Sequence, residues 1–143
     1  EAQMAAIEAV RPGNCWNDPH EAAVKVITKG LVDMKILSGN LKKLIANESF
    51  RPYFMHRTGH WLGMDVHDVG EYKVDGEWRV LEEGMVTTVE PGLYFSNNIP
   101  GLDPKWWDIG IRIEDDVLVT EAGNEVLSDQ APKEVSTIEE LIL

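Results

Sequence analysis

The apolar residues of this sequence follow one spacing near its start and a different one later. Four of them recur every three or four positions, as on one face of an α-helix: Val24, Ile27, Leu31 and Met34. Three isoleucines instead alternate with small or charged residues, which predicts a half-buried β-strand: Ile109, Ile111 and Ile113. Because the helical spacing comes first, we predict an α+β fold with helices packed on an antiparallel sheet.

Punctuating residues delimit the predicted helices. Arg11–Asn14 ends a first helix, because this segment contains Pro and Gly. We predict that Asp18 is the N-cap of the second helix, with Pro19 at its first position and Glu21 completing a capping box. We expect this helix to end at Gly39. A short third helix follows at Leu41–Ile45.

From Tyr53 onward the composition favours β structure. Met85–Val89 is rich in β-branched residues, and a further strand follows at Val117–Thr120. Residues 97–105 contain two prolines and a glycine and are predicted to form a loop. Thr137–Leu143 is predicted to form a closing helix.

Composition excludes several classes of protein. The chain has 143 residues, of which 43% are hydrophobic, too many for a disordered segment. Its net charge of -12 argues against nucleic acid or an anionic membrane surface as the main partner. No apolar run reaches the length of a membrane span. The single cysteine, Cys15, cannot form an internal disulfide, so we expect a reducing, cytoplasmic location.

The chain opens directly on strong helix formers at Glu1–Val10, with no N-cap before them. We therefore expect these residues to be the tail of a helix that begins upstream. A processed or trimmed terminus is the alternative. On the first interpretation, the sequence is part of a longer protein.

Three of the four histidines fall close together: His56, His60 and His67. Arg57 follows the first of them, so the zincin pattern, which needs a glutamate there, does not match. Imidazole is a frequent metal ligand and titrates near neutral pH, so the cluster indicates ligands or acid–base groups. Structural histidines explain it equally well.

Two glutamates strengthen the first interpretation. Glu90 ends an apolar strand, where a buried carboxylate needs a partner or a metal. Glu114 shares a strand face with Arg112, which is placed to hold it or a neighbouring ligand; a surface salt bridge is the alternative. Together with His60 they offer one imidazole, two carboxylates and no thiolate, which favours manganese, cobalt, iron or zinc. Asp65 and Asp68 are candidate partners of a histidine.

Three ordered segments carry a family resemblance: His56–Asp68, Glu83–Tyr94 and Gly110–Asp116. They resemble the metallopeptidases with the pita-bread fold, and within that family the Xaa-Pro aminopeptidases (aminopeptidase P) more than prolidase. The similarity extends over essentially the whole chain.

The resemblance implies two divalent ions, commonly Mn²⁺, with Co²⁺, Zn²⁺ or Fe²⁺ as alternatives. The family holds them with two Asp, one His and two Glu. By motif position His60, Glu90 and Glu114 are ligands; Glu114 bridges both ions, and Glu90 also handles the proton of the attacking water. No segment here reproduces the Asp motif, so the chain is expected to be the C-terminal part of a single catalytic domain.

The resemblance also implies roles for residues around the ions. His67 corresponds to the histidine that stabilises the tetrahedral intermediate, His56 to one in the substrate pocket, and Arg112 to an arginine behind the ligands. Arg57 stands where many relatives have glycine, at the rim of the pocket. Two aromatic residues are expected to line the site: Trp61 and Tyr94.

The implied activity is hydrolysis of the bond between the first residue of a peptide and a proline in second position. The complete enzyme is expected to be a homo-oligomer, and the 143-residue chain alone to be inactive. Prolidase, which is restricted to Xaa-Pro dipeptides, is the nearest alternative. A non-catalytic pita-bread domain or a metal-free creatinase-like enzyme is less compatible with three retained ligands.

Overall fold

A computed structural model describes residues 1–142. Its four α-helices are α1 (Ala2–Ala9), α2 (Asp18–Asp33), α3 (Leu41–Ala46) and α4 (Val135–Ile142). Its seven strands are β1 (Lys73–Val74), β2 (Glu77–Trp78), β3 (Val86–Val89), β4 (Gly92–Phe95), β5 (Ile109–Arg112), β6 (Asp115–Thr120) and β7 (Gly123–Val126). A short 3₁₀-helix spans Pro104–Trp106. Within these residues, no helix is both long and apolar enough to cross a membrane.

The second helix begins where the sequence predicts but is capped and ended differently. Asn17 is its N-cap, and the Asp18 carboxylate instead accepts the backbone N–H of Cys15 at 2.7 Å, so the predicted capping box is wrong. The helix ends at Asp33, short of Gly39, because Lys35 adopts a positive φ of 60°. Met34, predicted to belong to the apolar stripe, therefore lies beyond the helix and is 37% exposed.

The other predicted helices are close to those observed. The third spans Leu41–Ala46, one residue longer than predicted. The closing helix begins at Val135, two residues before the predicted start; Leu143, its predicted end, lies outside the described residues. The predicted β texture from Tyr53 is too early, since the first strand begins only at Lys73.

Four strands form one long antiparallel hairpin. β3 pairs with β6 and β4 pairs with β5, and both pairs share a single register, with Val89 opposite Asp115 and Gly92 opposite Arg112. The ladder is interrupted between the two pairs, where Pro91 has no N–H to donate. Continuing the register across this interruption places Glu90 opposite Glu114. The shared register therefore brings two carboxylates together at the interruption.

An irregular segment extends the sheet along the other edge of β3. Residues 58–62 run antiparallel to β3 and are joined to it by three backbone hydrogen bonds: Leu62 N–H to Val86 O at 3.2 Å, Thr88 N–H to His60 O at 3.0 Å, and Glu90 N–H to Thr58 O at 2.7 Å. A Cβ on Gly59 would lie 2.0 Å from the Thr88 carbonyl oxygen. Only glycine permits this close approach.

Most of the hydrophobic core lies on the β3–β6 half of the hairpin, although Phe95 of β4 also belongs to it. Val117 and Val119 on β6 are fully buried and belong to one cluster with α1 and α2, including Ala6 and Leu31. On the other half, all four residues of β5 are exposed. The prediction of a half-buried strand is wrong there, because no described element covers the isoleucines, which are 40%, 61% and 37% exposed: Ile109, Ile111 and Ile113.

Candidate metal centre

The interruption in the hairpin brings three potential metal ligands together. His60 comes from segment 58–62, Glu90 directly follows β3, and Glu114 directly precedes β6. One ligand atom from each lies within 4.8 Å of the others. Among residues 1–142 this is the one group of three or more such side chains with this geometry.

The His60 ring is oriented for binding through Nε2. Its Nδ1 lies 2.9 Å from the backbone oxygen of Trp61, which can only accept a hydrogen bond, so Nδ1 carries the proton. The Nε2 atom therefore faces the group of ligands, and it lies 3.3 Å from Glu90 Oε1. A carbonyl partner that fixes the tautomer is typical of metal-ligating histidines. The predicted partners, Asp65 and Asp68, do not have this role.

Glu90 is held from two sides. The Thr88 hydroxyl donates to Oε1 at 3.1 Å, and the same hydroxyl oxygen accepts the backbone N–H of His60 at 3.1 Å. Arg112 Nε lies 3.8 Å from Glu90 Oε2. The arginine therefore contacts Glu90, the neighbouring ligand that the sequence offered as an alternative to Glu114. The Glu90 side chain is only 14% exposed, so these partners contact a largely buried carboxylate.

The electrostatics of the group favour a cation. Burial raises the pKa of Glu114, and the adjacent Glu90 raises it further, while Arg112 and His60 oppose the shift. Two carboxylates that face each other repel when both are ionised. A divalent ion between them removes this repulsion, and the donor set of one imidazole and two carboxylates suits such an ion.

The other two histidines of the cluster have different neighbours. The rings of His67 and His60 are 4.3 Å apart between centroids, and His67 is exposed. His56 Nε2 lies 2.9 Å from the Tyr94 hydroxyl, so the structure pairs these two predicted pocket residues. Arg57, predicted at the rim of the pocket, lies 4.9 Å above the Trp78 ring.

Trp61 does not line this site as predicted. Alternation along segment 58–62 turns its ring away from His60 and into an aromatic cluster with Trp16 and Tyr72. The centroid distances are 4.1 Å to Trp16 and 5.8 Å to Tyr72. Trp61 is 9% exposed and contributes to the core.

The sequence-based prediction missed the two threonines behind the ligands. Thr88 contacts both His60 and Glu90, and Thr58 accepts the Glu90 N–H through its carbonyl oxygen. Thr88 lies two residues before Glu90 on a strand, hence on the same face, and this alternation was the available signal. His20, which contacts Thr58, lies 38 residues away from it and gave no signal.

This arrangement matches a known enzyme family. Residues 1–121 match the model of metallopeptidase family M24, and the chain belongs to this family. A family of metallopeptidases together with the triad of His60, Glu90 and Glu114 supports the use of a divalent metal.

Individual relatives have more specific names than the family. The chain is 46% identical to an Xaa-Pro aminopeptidase of Haemophilus influenzae over 142 residues, which cover 99% of this chain and 33% of the relative. It is 43% identical to the Xaa-Pro aminopeptidase of Escherichia coli over 143 residues, which cover 100% of this chain and 32% of the relative. The chain thus spans about a third of the length of the relatives it matches.

The solved structures confirm the predicted fold class. Pseudomonas aeruginosa aminopeptidase PepP superimposes with a TM-score of 0.95 at 56% identity, covering 98% of this chain and 32% of that one. Escherichia coli aminopeptidase P, solved with the inhibitor Pro-Leu, superimposes with a TM-score of 0.91 at 44% identity, covering 98% of this chain and 31% of that one. The fold is the α+β pita-bread fold of these enzymes.

Proposed function

We propose that this chain is the C-terminal part of the catalytic domain of an Xaa-Pro aminopeptidase. The names of the relatives and their threefold greater length support this proposal. The observation that carries it is the triad of His60, Glu90 and Glu114, with ligand atoms within 4.8 Å. The remaining ligands, two aspartates by the family resemblance, would come from an upstream segment.

His60, Glu90 and Glu114 would hold the divalent ions together with the upstream ligands. Bound ions of this kind lower the pKa of a coordinated water toward neutrality and polarise a carbonyl group. Manganese is the proposed ion, and a zinc-substituted form of the Escherichia coli enzyme has been solved with product. The identity and number of ions, the cytoplasmic location and the homo-oligomeric state stay predictions.

The proposed proton transfers use residues of this chain. Glu90 takes the proton of the attacking water and later returns it to the leaving amine. Thr88 and Arg112 keep its carboxylate in place, at 3.1 and 3.8 Å. His67 donates a hydrogen bond to the oxyanion that forms on the substrate, a term typically worth a few kcal/mol. His56, paired with the Tyr94 hydroxyl, contributes to the substrate pocket.

The proposed substrates are peptides with a free N-terminus and proline in second position. The Pro-Leu inhibitor in the Escherichia coli structure begins with proline, as the second product of such a cleavage would. Proline has a fixed φ and no N–H, so a dedicated pocket is needed to recognise it.

A peptide assay on the complete, manganese-loaded protein tests this proposal. We expect release of the first residue from a free Xaa-Pro-Xaa tripeptide, little from an Xaa-Pro dipeptide and none from an N-acetylated tripeptide. Cleavage of the dipeptide alone would identify a prolidase instead. No cleavage combined with no bound metal would point to a non-catalytic domain.

Two variants set the controls for this assay. Glu90→Gln removes the proposed acid–base carboxylate and should abolish turnover, whereas Glu125→Gln changes an exposed residue of β7 and should not. The 143-residue chain itself is expected to bind manganese weakly and to be inactive. Hydrolysis by that chain would contradict the assignment of further ligands to an upstream segment.

A further inference from the structure

A histidine outside the triad is joined to it by a short path. His20 lies in the first turn of α2, and its Nδ1 is 2.8 Å from the Thr58 hydroxyl oxygen. The two residues are 38 positions apart in sequence. Thr58 is only 3% exposed, so this hydrogen bond connects the helix to a buried part of the sheet.

Thr58 makes a second contact, with the first residue after β3. Its carbonyl oxygen accepts the backbone N–H of Glu90 at 2.7 Å. Two residues further along the same segment is His60, whose carbonyl oxygen accepts the N–H of Thr88 at 3.0 Å. A displacement of Thr58 would therefore move the backbone of both proposed ligands, Glu90 and His60.

The His20 ring also packs behind the substrate-pocket histidine. Its centroid is 5.5 Å from that of Phe54, and Phe54 contacts His56 edge-on at 5.1 Å. Burial, together with the nearby charge of Arg57, lowers the pKa of His20 to about 4. At neutral pH the ring is thus uncharged and adds no positive charge behind the proposed metal centre.

We propose that His20 is a positioning residue of the metal centre: through Thr58 it fixes the segment that carries His60 and the backbone that carries Glu90. The inference rests on the proposed function, since it concerns the same ligands. His20 contacts neither the ligand side chains nor the proposed substrate. Its effect should therefore be larger on metal affinity and kcat than on KM.

The test measures Mn²⁺ affinity in the complete protein by the loss of the free-ion electron paramagnetic resonance signal. We expect His20→Ala and Thr58→Val each to weaken binding about 10-fold, the scale seen when groups behind metal ligands are removed. His20→Asn and Thr58→Ser keep a polar atom near its present position and should restore most of the affinity. Urea unfolding establishes that each variant is folded at the temperature of the titration.

A matched control comes from the same helix. Thr28 is fully buried, and its hydroxyl donates to the Val24 carbonyl within α2 at 2.6 Å. Thr28→Val removes a buried hydroxyl without touching segment 58–62, so it should lower stability and leave manganese affinity unchanged. An equal loss of affinity in this control would mean that general destabilisation, and not positioning, explains the His20 variants.

The double variant separates a shared path from independent effects. If His20 acts through Thr58, His20→Ala combined with Thr58→Val should weaken affinity no more than Thr58→Val alone. Wild-type affinity in His20→Ala would overturn the inference and leave the proposed function intact. Failure of the wild-type protein to bind manganese would overturn the proposed function, and the inference with it.

Discussion

The two halves of the long hairpin share one register, but strand β6 of the first half and strand β5 of the second differ in burial. On the β3–β6 half, Val117 and Val119 are fully buried within the core that includes α1 and α2. On the β4–β5 half, Ile111 is 61% exposed although its strand alternates just as regularly. The candidate metal centre lies where the two halves meet.

Regular alternation of apolar residues is often taken to predict both a strand and its burial. Here the two properties are separate. Side chains alternate between the two faces because of the pleat of one strand, so a local pattern is enough to predict the strand. Burial requires another element on the same face. On the β3–β6 half α1 supplies that element, whereas no described element does so for β5.

The largest expected effect is the difference in stability between two aspartate substitutions, one on each half of the hairpin. In this chain, Val117→Asp places a carboxylate without a partner in the core and should cost more than about 4 kcal/mol of unfolding free energy. Ile111→Asp should cost less than about 1 kcal/mol, because its side chain is already in solvent. Urea unfolding measures both. Equal costs would show that the β5 face is covered in solution.

A second pair of variants concerns the edge of the buried half. Gly59→Ala brings a Cβ to 2.0 Å from the Thr88 carbonyl oxygen, so the backbone must shift, at a cost of about 2–3 kcal/mol. Gly30→Ala in α2 meets nothing within 4 Å and should stabilise the protein by about 0.5–1 kcal/mol through helix propensity. Opposite signs in thermal unfolding are the expected outcome; a stabilising Gly59→Ala would show that the segment does not pair with β3.

A third pair compares a buried ion pair with an exposed one. Asp115, at the start of β6, is 1% exposed and paired with Lys133, and Ser128 also donates to it at 2.7 Å. Lys133→Met should cost about 2 kcal/mol, because a buried carboxylate loses its cation but keeps other donors. The exposed Lys29–Asp33 pair on α2 is the control, and Lys29→Met should leave the stability almost unchanged. Similar losses in urea titrations would argue that Asp115 is hydrated.

The smallest effect is a pH dependence. The pKa of His20 falls from 6.5 to about 4 on folding, because burial disfavours the charged ring. Below pH 6.5 His20 is protonated in the unfolded chain but not in the folded chain. The free energy of unfolding therefore falls as the pH drops toward 4. Relative to His20→Asn, the wild type should lose about 1 kcal/mol between pH 7 and 5, a value reduced for the partial exposure of the ring. A constant difference between the two proteins would contradict the shift.

Much of this architecture can be read from local sequence. The helical stripe through Val24, Ile27 and Leu31 and the β-branched run before Glu90 both specify their elements through near neighbours. His60, Glu90 and Glu114 were selected by residue type and motif, and the structure places them together. The features that were not predicted depend on contacts between distant residues. They are the exposure of β5, the packing of the Trp61 ring against Trp16, and the hydrogen bond between His20 and Thr58.

The most direct test of the account is a manganese titration of the complete protein and two glutamate variants. If the hairpin junction is the metal centre, Glu114→Gln should weaken binding by more than about 100-fold, beyond what the loss of an outer group causes. Glu125→Gln changes an exposed carboxylate on the neighbouring strand and should bind as the wild type does. Wild-type affinity in Glu114→Gln would contradict the account, because the ion would then be held elsewhere.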